Sequence, residues 1–459
     1  MKKILFTALA VCLGANLMAQ SLGQAELDAI RGSFVKDAPT VAMQNILTQN
    51  SDITSLARNL SANGNLDSYF KYEVDVKGIT NQRSSGRCWL FASLNELRPV
   101  AAKKFNVKEF YFSQNYCSFW DLFEKSNLFL EGIIATADKP ATDREVEAFL
   151  KSPVGDGGVW NLFVDVAEKY GVVPASVMPE TDNSNNTGAM RSILKEKLRD
   201  GAWQLREAAA NGAKPKELRK QKVEILKQVY RILALCLGEP PVGDFTWKYK
   251  DLSGKVCTLT TNPKDFYRSI APKDFNMKTM VMIMNDPTRE YYKLYEIEYY
   301  RNTWEGFNWI YLNLPNEDIK PMALASIKDN RPLYISCDVG KYSSRKEGLL
   351  DTDLYDYCSL FGITISMDKK ARILTRQSGS SHAMLLVACD TDENDKPIKW
   401  KFENSWGKNS GADGYMLLTD KWFDEYLFRI VVDRKYMPEN LLKLLNQKPV
   451  KLPIWDYMY

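Results

Sequence analysis

Residues 81–98 read NQRSSGRCWLFASLNELR. Ser84, Ser85 and Gly86 are turn formers, and from Arg87 onward the apolar residues recur at helical spacing. The pattern predicts a helix that begins beside Cys88, which puts a thiol at the positive end of a helix dipole. The thiolate is the nucleophilic form of cysteine, and that position is expected to favour thiolate over thiol.

A thiolate needs an imidazole to take its proton, and the imidazole needs an acceptor that fixes its tautomer. The chain contains a single histidine, His382, in SSHAMLLVACD directly before an apolar run that reads as a strand. Asn404 lies in KFENSWG just after the next strand-like run, so two neighbouring strands could bring the pair together. An asparagine oxygen can accept from the ring N–H without adding charge, and Trp406 could shield that bond from water. Attack on a carbonyl also creates an oxyanion that needs donors. Gln82, six residues before Cys88, could supply its side-chain amide alongside the Cys88 backbone N–H at the helix start.

Composition narrows the alternatives. The 459 residues are 45% hydrophobic and 12% aromatic against 26% charged, which is enough apolar surface for a sizeable core. The net charge of +4 gives no general case for nucleic acid or acidic lipid as a partner. One histidine excludes zinc sites built from several, and no C-x-x-C pair offers a thiolate metal site, so no metal and no organic cofactor is expected.

At the N-terminus, Lys2 and Lys3 precede an apolar run over 4–13, followed by small residues at Gly14, Ala15 and Ala19. This reads as a secretory leader over 1–19 and predicts export to the periplasm or medium. The run is too short to span a bilayer, and no later stretch offers a membrane span. Beyond Cys12, seven cysteines remain at wide, irregular spacing, which resembles neither a disulfide scaffold nor a metal site.

Helical patterns occupy the first half of the chain and strands the second. Short helical pieces fall within 24–65 around turns at 50–52 and 63–65, with a strand-like stretch at 72–76. Helices are expected over 110–130 and 159–170, and a long hairpin over 191–237 breaks near Asn211-Gly212. Between Lys195 and Gln228 ten basic and five acidic residues give a charge run that reads as a solvated face. Strand-like runs follow at 280–284, 309–314, 333–337, 384–389, 398–402, 415–418 and 427–432. This segregation predicts an α+β architecture rather than alternating βαβ units. The expected divisions are a leader (1–19), a lead-in (20–70), a helical half with the cysteine (71–190), an inserted helical hairpin (191–240), a β-rich half with His382 and Asn404 (241–435), and a C-terminal arm (436–459).

The segment NQRSSGRCWLFAS resembles the active-site helix of papain-like cysteine peptidases, and SSHAM with FENSWG resembles their histidine and asparagine blocks. Papain-like chains usually separate cysteine and histidine by roughly 130 to 150 residues. Here the interval is 294. That excess resembles the bleomycin hydrolase and aminopeptidase C branch, as do DGGVWNLFVDVAEKYGVVP, PLYISCDVGK and TDKWFDEYLFRIVVDRKYMP.

The resemblance implies a papain-like fold, helical half plus antiparallel β-barrel-like half, carrying a large helical insertion. It also implies a peptidase acting on short peptides as an aminopeptidase, with Gly157 and Gly158 lining the substrate groove. Members are typically homohexamers whose C-terminal arm lies in the cleft and limits cutting to the substrate's N-terminal end. The PIWDYMY end differs from the branch's usual arm, which leaves dipeptide release or endopeptidase cutting open. A catalytically idle binding protein is the reading from another class, and the intact set of Cys88, His382, Asn404 and Gln82 argues against it. Some relatives bind nucleic acid, but the acidic residues interrupting the 195–228 run make that partner unexpected here.

Overall fold

A computed structural model describes residues 21–62, 66–270 and 277–458. The expected leader over 1–19, the turn at 63–65 and the last residue, Tyr459, lie outside the described residues. The chain divides into two compact units. The smaller combines the described residues up to 58 with 355–363. It contains the helices Gln24–Gly32, Ala38–Gln49, Ile53–Leu56 and Tyr357–Phe361, with Asp37 and Asp52 capping the second and third. Ile30, Phe34 and Val35 are exposed in this unit.

The larger unit, 59–354 with 364–459, holds the candidate chemistry. Its centre is the helix Cys88–Phe105, whose first half is buried on every side through Trp89, Leu90, Phe91, Leu94 and Leu97. A helix apolar all round has to be enclosed by other elements. One side is closed by helices Gln114–Ala135 and Trp160–Tyr170, and the other by the strand His382–Thr391. The aromatic run expected to be helical from 110 begins its helix only at Gln114. Ser113 caps it by accepting from the Tyr116 N–H at 3.0 Å. The chain leaves Trp160–Tyr170 through Gly171 at φ 81°, where a Cβ would sit 2.2 Å from the Pro263 backbone, so only glycine fits.

The 191–237 hairpin is the pair Gly188–Ala210 and Pro215–Leu237. It packs Leu194, Leu198 and Leu205 against Ile225, Val229 and Leu233, with Gly201 admitting the Ile225 side chain. Part of its basic run is used internally. Arg219 and Lys222 pair with Glu131, and Arg206 donates to the Thr136 and Lys139 carbonyls.

Strands dominate the later sequence, as expected. Among the described residues one large sheet runs in the order Val450–Leu452, Lys293–Ile297, Trp309–Asn313, Val281–Met284, Leu427–Val432, Leu333–Cys337, His382–Thr391, Pro397–Glu403, Tyr415–Thr419, Leu349–Leu350, Ser343–Ser344. The fold is α+β and papain-like, and the sheet is mainly antiparallel. Three pairs are parallel: Val450–Leu452 with Lys293–Ile297, Val281–Met284 with Trp309–Asn313, and Tyr415–Thr419 with Leu349–Leu350. His382–Thr391 lies at the middle of the sheet, and Tyr72–Glu73 also pairs with it. Its ten residues are all buried, which is why the run reads as continuously apolar rather than alternating.

Candidate active site

Cys88 is the first residue of its helix, so its backbone N–H has no acceptor within the helix. Arg87 anchors the approach, pairing with Glu180 at 2.7 Å and donating to Ser85 Oγ at 3.0 Å. The preceding turn is tied to the asparagine block. Gln82 N–H donates to the Ser405 carbonyl at 2.8 Å, and Ser405 Oγ donates to Gln82 Oε1 at 2.7 Å. Gln82 Nε2 spends one hydrogen on the Ser85 carbonyl at 2.7 Å, and an amide nitrogen carries two. The second is available toward the cleft that Gln82 lines with Cys88.

His382 opens its strand, and Glu403, the last residue of the neighbouring strand, sits opposite Leu385. Asn404 follows at once and is thereby delivered to the imidazole. His382 Nε2 lies 2.9 Å from Asn404 Oδ1, and both residues are buried. The Ser405 N–H donates to the same Oδ1 at 2.8 Å, which identifies that atom as the amide oxygen. Nε2 therefore carries the ring hydrogen, and Nδ1 is left as the base. The ring stacks on Trp406 at 4.9 Å, and the Arg345 guanidinium lies 3.8 Å from the indole centre, so Trp406 helps to keep water from the His–Asn bond.

The Ala383 N–H acts electrostatically on the Cys88 thiol, which sets the sulfur near the peptide that follows His382. Cys88, His382 and Gln82 line one cleft of about 610 Å³ together with Gly157 and Gly158. A larger hollow of about 950 Å³, lined by Glu96, Arg98 and Lys103, contains none of these residues. Gly157 and Gly158 differ in what demands a glycine. A Cβ at Gly157 would meet open space, as befits the edge of a groove. At Gly158 it would come 2.6 Å from the Trp89 ring, so packing already excludes a side chain there.

Electrostatics correct the sequence-based expectation for the thiol. The helix start was expected to favour thiolate, but burial pushes the Cys88 thiol up, with the Ala383 and Trp89 N–H groups opposing it only in part. Burial also lowers the His382 imidazole to about 4, against the support of Asn404. Either charge alone is disfavoured. A proton passed from the sulfur to Nδ1 would form both at once, each as the counter-charge of the other, with Asn404 Oδ1 placed to hold the imidazolium. The other six described cysteines are not disulfide-bonded, and Cys117, Cys337 and Cys389 are buried fillers of the core.

A cysteine with a neighbouring imidazole, an orienting amide and oxyanion donors can carry out acyl transfer through a thioester. Residues 21–459 match the Peptidase C1-like family. The chain belongs to that family of papain-like cysteine peptidases. Bleomycin hydrolase of Mus musculus is 37% identical over 95% of this chain and 98% of its own. Aminopeptidase C of Lactobacillus delbrueckii subsp. lactis is 37% identical over 89% and 92%. The crystal structure of pepw from Lactobacillus rhamnosis HN001 superposes with a TM-score of 0.92 at 35% identity, covering 96% of this chain and 99% of that one. Both the bleomycin hydrolase resemblance and the papain-like fold thus hold for this peptidase.

Several residues around the peptidase site went unnoticed in the sequence. Lys125 donates to the carbonyls of Gly155 at 3.1 Å and Gly157 at 2.6 Å, turning the glycine run toward the groove. Arg98 and Glu403 form a buried pair between the cysteine helix and the strand that ends at Asn404. Arg429 lines the cleft and donates to the Met458 carbonyl. Their partners are distant in the chain, and only the GDGG break at 155–158 gave a local signal.

Proposed function

We propose that this cysteine peptidase is an exported aminopeptidase of short peptides. Cys88 attacks, His382 takes the thiol proton and returns it to the leaving amine, Asn404 orients His382, and Gln82 with the Cys88 N–H stabilises the oxyanion. Acylation and deacylation proceed through a thioester, with Gly157 and Gly158 along the substrate backbone. The observation that carries the reading is the 2.9 Å His382–Asn404 bond in a cleft that His382 lines together with Cys88.

The aminopeptidase part is supported by the C-terminal segment and by the relatives named aminopeptidase C and aminopeptidase G. Val450–Leu452 joins the sheet edge, and Ile454 and Met458 are buried. Asp456 accepts from Arg289 at 2.5 Å, and the Tyr457 hydroxyl donates to Asp286 at 3.2 Å. The Met458 carbonyl is held by Arg429 of the cleft wall. Arg429 thus ties the C-terminal segment to the wall of the cleft. The test compares one fluorogenic peptide with free and N-acetylated ends. Loss of at least about 100-fold in kcat/KM on acetylation is expected, and equal cleavage of the blocked peptide would remove the aminopeptidase assignment in favour of endopeptidase cutting.

Export rests on the Lys2-Lys3 and apolar pattern, and homo-oligomers, hexameric by resemblance, on the family likeness. Mature protein starting near residue 20 in the exported fraction, sedimenting at several times 52.5 kDa, is the expected result. Full-length monomer in the cytosol is the opposite one. Among the described residues no helix is long and apolar enough to cross a membrane.

A further inference from the structure

We propose that Asp156 is a positioning residue that locks the substrate-binding glycines to the start of the Cys88 helix, so that one carboxylate sets the distance between substrate backbone and nucleophile. The proposal rests on the reading of Cys88 and Gly157–Gly158 given above and adds to it a residue that touches neither reacting atom. Asp156 is 5% exposed and immediately precedes the glycine pair. Its Oδ2 accepts from the Gly86 N–H at 2.7 Å and from Thr187 Oγ1 at 2.5 Å, while Oδ1 pairs with Arg191 at 2.9 Å. Its backbone carbonyl accepts from Trp89 Nε1 at 2.8 Å.

These contacts straddle the nucleophile. Gly86 lies two residues before Cys88 and Trp89 one after it, so both flanks of the thiol hang on the residue that begins the groove edge. The fit is close on each side. A Cβ at Gly86 would stand 2.5 Å from Asp156 Oδ1, and one at Gly158 would strike the Trp89 ring. Lys125 fixes the same stretch from the other side through the Gly155 and Gly157 carbonyls. Burial works against the Asp156 charge, but Thr187, Gly86 and Arg191 outweigh it and hold the carboxyl below its ordinary range, so the clamp is ionised at neutral pH. Its negative charge also contributes to raising the Cys88 thiol.

Acyl transfer depends steeply on such placement, because a misplacement of about 1 Å can lower the rate about 100-fold. The experiment measures kcat and KM on an aminoacyl fluorogenic substrate, together with the pH profile of Cys88 alkylation by iodoacetamide, for the parent, Asp156→Ala and Asp156→Asn. Alkylation needs the thiol and no groove, so it separates the two functions. Asp156→Ala is expected to lose about 100-fold in kcat/KM, with kcat falling and KM rising, while Cys88 still alkylates at neutral pH. Asp156→Asn keeps an acceptor for Gly86 and loses the charge. It is expected to retain more activity than the alanine variant and to shift the alkylation midpoint to lower pH. If the parent shows no Cys88-dependent turnover, the reading of the site itself fails. With that turnover present, kcat/KM within threefold of the parent in Asp156→Ala overturns the proposal. Should Asp156→Ala not fold, an Asp156→Asn variant with unchanged KM and an unmoved alkylation midpoint overturns it equally.

Discussion

Cys88→Ala is expected to reduce turnover of an aminoacyl substrate by roughly 10⁶-fold, the scale on which loss of a nucleophile acts in other acyl-transfer sites. In the proposed mechanism the sulfur forms the bond that makes the thioester, and no other described cysteine lines the cleft. His382→Ala should lose nearly as much, and the double variant scarcely more, because the two act as one unit. Gln82→Ala should lose far less, about 10²–10³-fold in kcat, since one oxyanion donor is removed while the Cys88 N–H remains. The pH profile carries the same logic. His382 can accept the thiol proton only when neutral, and burial places its folded value at about 4. The acid limb of kcat/KM should therefore fall near pH 4, with activity maintained from there into the neutral range. Steady-state kinetics on the folded variants checks these points. Equal rates for the parent and Cys88→Ala would end the peptidase reading, and an acid limb near 6.5 would mean that burial does not control His382.

The parts of the candidate site were legible because each is local in sequence. A turn before an apolar helix announced Cys88, and strand–His and strand–Asn–Ser–Trp–Gly announced the other two, even though their meeting depends on the Leu385–Glu403 register. Desolvation pushes the thiol up against the expected effect of the helix start, and desolvation depends on the tertiary packing around the sulfur rather than on its own helix. The hairpin Phe245–Lys250 with Val256–Thr261 was missed although FTWKYK alternates apolar and polar residues and VCTLTT is rich in β-branched ones. Lys293–Ile297 pairs along its whole length with Trp309–Asn313, and Val450–Leu452 adds to it from more than 150 residues away; both have weak patterns of their own. The same limit hid Asp156 and Arg98, whose partners lie 70 and 305 residues away.

Arg98→Met is expected to destabilise the fold by about 3–5 kcal/mol at pH 8, the range found when one partner of a buried ion pair is removed. Arg98 Nη2 reaches both Glu403 oxygens, at 2.7 and 2.6 Å, and Nη1 donates to the Gly78 carbonyl at 2.9 Å. Asn95 adds one bond to Glu403 Oε1 at 2.9 Å and another to Thr80. Even so, burial raises the Glu403 carboxyl to about 7, with Arg98 pulling it back only part of the way. A carboxyl whose folded value exceeds its unfolded one stabilises the fold below the unfolded value, and that contribution is lost as pH rises through the folded value. Removing Arg98 lifts the folded value further, so the difference between variant and parent should be smallest near pH 5 and grow toward pH 8. Urea unfolding at both pH values reads this directly. A difference below about 1 kcal/mol at pH 8, or one independent of pH, would show that the pair contributes little. Arg98→Met combined with Glu403→Gln should recover much of the loss, since no unpaired buried charge remains. It should not fully recover activity. Glu403 is bonded to Asn404, and Arg98 lies on the helix that begins at Cys88, so the pair also fixes how far the orienting amide stands from the thiol.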